Sequence, residues 1–386
     1  MDEHLAGLMA AVTPLEPLDI SLNEARGCQV VGDVVTTEPL PRFAMCAIDG
    51  YAVRAADLPA TVTVVDDVAP GYAATQPVYA GVAVRVAAGT ALPDGADAVV
   101  AGPRAAVGAS CALPGPVAAG AGVVGMGAVL AAGSVAVPDG AVVTPATIGL
   151  LASLGHQRVS VRPQPRVVVV TVGDQLQPLG APATTGLVPD AAGPMLCAAA
   201  EEHGAVAYRV GCVPDDPRMV AQTLDDQLIR ADLLVVVGDT AAPDTTLRSQ
   251  LSALGEVSFD EASTALGPFG HGVAGEERVP VIALPGDPAA AGILFAVLAV
   301  PIIHVMRGVA APPALQVRLG RELPRSPVLG LIPARVIGGQ AETASGERPT
   351  VTDLVAADVV LRILPGTGNQ ARGSAVAAVP LRVPRP

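Results

Sequence analysis

At 386 residues the chain is long enough for several domains with sizeable cores, and 51% of it is hydrophobic. Its net charge of −13 argues against a general nucleic-acid binder, which needs a basic face to neutralise phosphates. All 23 basic residues are arginine, so neither a P-loop lysine nor a Schiff-base lysine is present.

In chain order, the opening MDEHLAGLMAAVTPLEP begins with two acids where a secretory leader carries a basic stretch, so no leader is expected. Residues 1 to about 40 look helical: DISLNEARGCQVVGDVV predicts a helix entered at Ser21 and left near Gly27, then a strand. From 41 to 132 the pattern changes to short strands between Gly/Pro turns, as in TVTVVDDVAPG and GVAVRVAAGTALPDGADAVVAGP, which predicts a small β module. Within it GVVGMG, Gly122 to Gly127, lacks the preceding strand and following helix of a nucleotide fingerprint and reads as a β turn. Residues 133–164 contain TPATIGLLASLG, a short helix closed by Gly155.

Residues 165 to about 309 carry three short, β-branched, non-alternating runs that each end in Gly-Asp: RVVVVTVGD, DLLVVVGD and VPVIALPGD. Such runs are strands buried on both faces of a parallel sheet, and helical segments such as MLCAAAEEH and PRMVAQTLDDQL lie between them. The crossover rule places the runs in one sheet, so Asp174, Asp239 and Asp287 gather at its carboxyl rim, where open α/β sheets bind ligands. Each acid taken alone reads better as an N-cap or loop-turning residue, Asp287 as an N-cap, and it is the three together that point to a site. AAAGILFAVLAVPIIHVMRG is apolar but is interrupted by Pro301 and His304, so it is expected to be a buried helix and not a membrane span. From about 310 to 386 Pro-rich short strands predict a β-barrel or sandwich. The five cysteines and five histidines are scattered without zinc spacing, which fits a reducing cytosol, and Cys46 reads as a small buried thiol.

The segment LPRFAMCAIDGYAVRAAD, Leu40 to Asp57, resembles the hallmark of the molybdopterin molybdenumtransferase family, which includes the bacterial MoeA proteins and the gephyrin E domain. GTALPDGADAVV, TIGLLASLG, VGDQL and LPGDP follow in the family's order. The resemblance implies an α/β multidomain protein with a discontinuous helical domain (1–40 and 133–164), a β module (41–132), a molybdopterin-binding α/β domain with a parallel sheet (165–309) and a C-terminal β-barrel-like domain (310–386), assembled as a homodimer. It also implies insertion of molybdate into adenylylated molybdopterin with Mg²⁺ and release of AMP. Asp49 in the D-G-Y-A turn and Asp174 in V-G-D-Q-L match the family's catalytic positions, and Gly173, Gly238, Asp239, Asp244, Pro285, Gly286 and Pro288 match its cofactor-binding loops. No metal ligand is assigned.

The departures fall where charge is needed. The family's D-N-S-A-M is here Ala44 to Ile48, its G-E-D-I is Gly127 to Leu130, and its K-P-G-K-P-type loop is Thr264 to Pro268. Asp239 adds negative charge where glycine backbone usually receives phosphate. Two readings follow. In one, an active transferase uses Arg42, Arg104 or Arg248 for the missing lysines and Asp239 or Asp244 for the lost metal ligands. In the other, a catalytically impaired paralogue keeps the fold as a gephyrin-like binding module or scaffold for a protein partner.

Overall fold

The structure, a computed structural model, describes residues 12–343 and 348–382 together with 5–7 and 9. It divides into two compact units: a β unit of Asp19–Arg26 and Val30–Ser160, and an α/β unit of Met1–Leu18, Gly27–Gln29 and Val161–Pro386.

The β unit is built on five strands, β1 (Gly50–Val53), β2 (Ala60–Val68), β3 (Val82–Val86), β4 (Ala98–Val100) and β5 (Ser110–Leu113), in the order β4-β1-β3-β2-β5. Only β2 and β3 run parallel. Tyr51 of the D-G-Y-A turn is 1% exposed and packs with Val53, Val62, Val64 and Leu113, so this hallmark residue belongs to the core of the unit. Val123–Val124 of the GVVGMG stretch forms a two-residue strand against Met45–Cys46. Cys46 is buried, and burial raises its thiol pKa.

Helix α1 (Pro145–Ser153) forms as its sequence predicts. Thr144 and Thr147 make a reciprocal capping box at its start. At its end Gly155 takes φ +86°, its N–H reaches the Ala152 carbonyl at 2.9 Å, and the His156 N–H reaches the Leu151 carbonyl at 3.0 Å, a Schellman closure. The helix expected from Ser21 to Gly27 does not form. Ser21 does bond Glu24 through its hydroxyl at 2.7 Å, the start signal of a helix, and the Ala25 N–H reaches the Ser21 carbonyl at 3.1 Å. After that single turn Gly27 turns to φ +83°, and so short a segment does not offset the entropy of helix nucleation. The preceding residues Leu18–Ser21 are a strand instead.

The α/β unit contains β6 (Arg166–Val172), α2 (Ala192–Glu202), β7 (Val206–Val213), α3 (Pro217–Leu228), β8 (Leu233–Gly238), α4 (Thr246–Leu254), β9 (Gly255–Asp260), β10 (Phe269–Ala274), β11 (Val279–Pro285) and α5 (Pro288–Met306). Its six strands lie in the order β7-β6-β8-β11-β10-β9, the first four parallel and the last two antiparallel. Val167, Val169, Leu233, Val235, Ile282 and Leu284 pack into one core with α5, while Val168, Val170, Leu234, Val236 and Val281 pack into another with α3 and α4. Both faces of β6, β8 and β11 are therefore buried, which is why these three runs show no alternation. Burying each such side chain contributes about 1.5–3 kcal/mol relative to exposure.

Helix α5 is long and apolar enough to cross a membrane, with a mean hydropathy of 2.3 over its best window, yet 78% of that window is buried inside the protein. It is the core helix of the sheet. Its π-helical stretch, Phe295–Ala299, ends one residue short of Pro301, where the wider turn accommodates a ring that has no N–H to donate. Residues beyond it close a five-stranded barrel from β12 (Leu315–Leu319), β13 (Gly330–Ile337), β14 (Gln340–Thr343), β15 (Val359–Ile363) and β16 (Ala375–Pro380), in the order β12-β14-β13-β15-β16.

Candidate functional site

The three Gly-Asp runs are adjacent parallel strands, with Thr171 opposite Val237 and Gly238 opposite Pro285. Asp174, Asp239 and Asp287 consequently emerge at one carboxyl rim, as the sequence predicts. Each also performs a local task. Asp174 Oδ1 accepts the Asp215 N–H at 2.9 Å, Asp239 Oδ1 accepts the Ala241 N–H at 2.8 Å, and Asp287 N-caps α5 by accepting the Ala290 N–H at 2.8 Å.

At this rim lies an open cavity of about 470 Å³. Of the residues expected to hold a cofactor, Gly173, Gly238, Asp239, Pro285 and Gly286 line it. Val172, Gln175, Asp215, Thr240, Ala241, Leu266, Gly267 and Pro268 complete the wall, and among the described residues no arginine lines it. At Gly238 a Cβ would stand 3.0 Å from Leu247 Cδ2 and 3.3 Å from the Val172 carbonyl oxygen, so a side chain at this strand end would require its neighbours to give way. Pro288 lines a smaller neighbouring cavity of about 80 Å³ with Asp190. Asp244 lines neither; it is exposed on the turn before α4.

Asp190 was not singled out by sequence. It is 1% exposed, accepting the Thr171 hydroxyl and the Gly193 N–H, each at 2.9 Å, with Arg209 Nη1 at 4.0 Å. A Cβ at Gly193 would lie 2.6 Å from its Oδ2, and one at Gly211 2.7 Å, so both glycines make room for this carboxylate. The available signal was an acid three residues before a glycine at a helix start.

The arginines proposed to replace the lysines separate clearly. Arg248 is 8% exposed, ion-paired with Glu261, bonded to the Thr240 carbonyl at 3.3 Å and stacked 4.3 Å over the Phe259 ring. Its guanidinium braces the 240–261 region, pulls the Glu261 carboxyl pKa down, and is committed there. Arg42 pairs with Glu38 at 2.6 Å. Arg104 lines a separate cavity of about 480 Å³ in the β unit together with Asp49. Asp49 and the α/β rim thus belong to different compact units.

Among the described residues no group of three or more His, Cys, Asp or Glu side chains converges as a metal site. The donors at the rim suit a cation that arrives coordinated by phosphate oxygens and needs only one or two carboxylates; an all-protein cage is absent from them.

A parallel sheet with buried strands and a glycine-lined carboxyl rim, joined to a barrel, defines the α/β class of ligand-binding protein. The profile of the MoeA N-terminal region (domain I and II) matches residues 1–155, and that of a probable molybdopterin binding domain matches residues 168–305. The chain is 32% identical over 333 residues to molybdopterin molybdenumtransferase 1 of Mycobacterium tuberculosis, covering 80% of this chain and 78% of that protein. Molybdopterin molybdenumtransferase 2 of the same organism is 29% identical over 326 residues, covering 81% and 80%. The crystal structure of a molybdopterin biosynthesis MoeA protein from Pyrococcus horikoshii superposes with a TM-score of 0.77 at 23% identity, covering 99% of this chain and 98% of that one. The chain belongs to the molybdopterin molybdenumtransferase family.

Proposed function

We propose that this chain acts in molybdenum cofactor biosynthesis by binding a molybdopterin species at the carboxyl rim of the α/β sheet, and that it inserts molybdate more slowly than an intact family member. The wall of the rim cavity supports this reading: Gly173, Gly238, Gly267 and Gly286 let a flat ligand approach the backbone, while the charged side chains that line it, among the described residues, are Asp215 and Asp239. An anionic ligand therefore meets two acidic side chains in the wall, with the nearby Arg248 guanidinium already committed to Glu261 and the Thr240 carbonyl. Mg²⁺ would be held by those two carboxylates and by the phosphates it carries, and when bound it neutralises phosphate charge. Loss of a charge-stabilising group costs on the order of 10² in rate.

The test is AMP release from adenylylated molybdopterin with Mg²⁺ and molybdate, followed beside an intact relative. Binding with slow release supports the proposal. A comparable rate overturns the impairment, and failure to bind pterin overturns the site. A scaffold role is the second reading. It is favoured by a separate cavity of about 440 Å³ in the α/β unit, floored by Leu266, Leu323, Leu331, Ile332 and Ile363, which shares only Leu266 with the rim cavity.

A further inference from the structure

The β unit holds its own cavity of about 480 Å³, within the range of small-ligand sites. Four charged side chains line it: Asp49, Asp67, Arg85 and Arg104. Two of them neutralise each other, since Arg85 Nε donates to Asp67 Oδ1 at 2.8 Å in a two-pronged pair. Asp49 uses Oδ1 to accept the Ala88 N–H at 2.7 Å. Arg104 is exposed, and its side chain has no ion pair or hydrogen bond among the described residues.

The backbone on either side of Arg104 is nevertheless held firmly. The buried Tyr51 hydroxyl donates to the Pro103 carbonyl at 2.8 Å and accepts the Ala105 N–H at 2.8 Å. One phenol fixed in the core of the unit thus clamps both neighbours of the arginine, and the loop carries an uncommitted guanidinium among the residues that line the cavity. Such a planar fork on a fixed stem is suited to a tetrahedral oxyanion, because the loop entropy is already lost before the ligand arrives.

We infer that Arg104 is an anion-binding residue of this chain, holding a tetrahedral dianion in the cavity it shares with Asp49, with Tyr51 as its positioning residue. The dianion is the terminal phosphate of AMP, the released product, or molybdate itself; the role in cofactor synthesis rests on the proposed function, whereas the anion site does not.

Calorimetric titration of the full chain with AMP and, separately, with sodium molybdate tests this and distinguishes the two sources. The wild type binds at least one of them. Arg104→Ala weakens that binding about tenfold or more and makes it less dependent on salt, and Arg104→Lys recovers part of the loss. Tyr51→Phe weakens binding but keeps the salt dependence, because the guanidinium is still present. A wild type that binds neither anion, or an Arg104→Ala protein that binds within twofold of it, overturns the inference. Arg104 is exposed, so its variants are expected to fold, and a thermal melt checks this. Molybdopterin titration of a Gly238→Val protein keeps the two readings apart: loss of pterin binding with AMP or molybdate binding intact concerns the rim alone.

Discussion

The Thr171 hydroxyl sits between two partners, donating to Asp190 Oδ2 at 2.9 Å and accepting the Cys212 N–H at 3.2 Å. It couples the carboxyl end of β6 to a carboxylate buried beside the rim. Thr171→Val removes the hydroxyl and leaves that oxygen of Asp190 with Arg209 at 4.0 Å as its remaining partner. The expected loss of stability is about 1–3 kcal/mol, read as a lower urea midpoint at unchanged slope. An unaltered midpoint would show that the bond contributes nothing.

Asp239 lines the rim cavity, at a position where the family resemblance implies glycine backbone. Asp239→Gly removes the charge and the Ala241 turn bond together. We expect about tenfold tighter binding of adenylylated molybdopterin, with a loss of about 1 kcal/mol in stability. Equal or weaker binding in direct titration would mean that the carboxylate does not repel the ligand.

His203 is 3% exposed, 3.3 Å from the ring nitrogen of His304, with Arg307 donating to its carbonyl at 3.0 Å. Burial, then the charges of His304 and Arg307, lower its pKa to about 4, and burial lowers that of His304. Because the folded value lies below the unfolded one near 6.5, the unfolded chain takes up protons first on acidification. Stability is thus fully present above about pH 6.5 and falls as the pH drops toward 4, by on the order of 3 kcal/mol for His203. Denaturation of His203→Gln at pH 7 and pH 4.5 should show a smaller difference between the two pH values than the wild type does. The same difference in both proteins would remove His203 as the cause.

Phe43, Ile48, Met126 and Val129 are 50%, 42%, 65% and 64% exposed in the β unit. The backbone ties their segments together, since the Gly127 N–H reaches the Pro41 carbonyl and the Val129 N–H reaches that of Leu40. Such an apolar group is expected to be covered by a second copy of the chain. Light scattering at micromolar concentration should give twice the chain mass, and Phe43→Asp with Val129→Asp should return it to one. A monomeric wild type would contradict this.

By itself the sequence determined the sheet. Between its ends the run RVVVVTVGD is apolar but for Thr171 and shows no alternation, so it is stable only between two layers of helices, and Gly155 could only end a helix whose apolar spacing stops there. It also determined the family, through motifs kept in order across most of the chain. What it left open depended on partners distant in sequence. Ser21 and Glu24 form a genuine helix start, but too few residues follow before Gly27 for a helix to persist. Arg42, Arg104 and Arg248 are alike as letters, yet Glu38 occupies the first, Glu261 and Phe259 the third, and Tyr51 sets out the second with its guanidinium unbound. Asp190 drew no notice because its value depends on Thr171, Gly193 and Arg209 converging on one buried point. Propensity and pattern are local and survive in the one-dimensional string, whereas which charge is free and which is committed is decided only when the chain closes on itself.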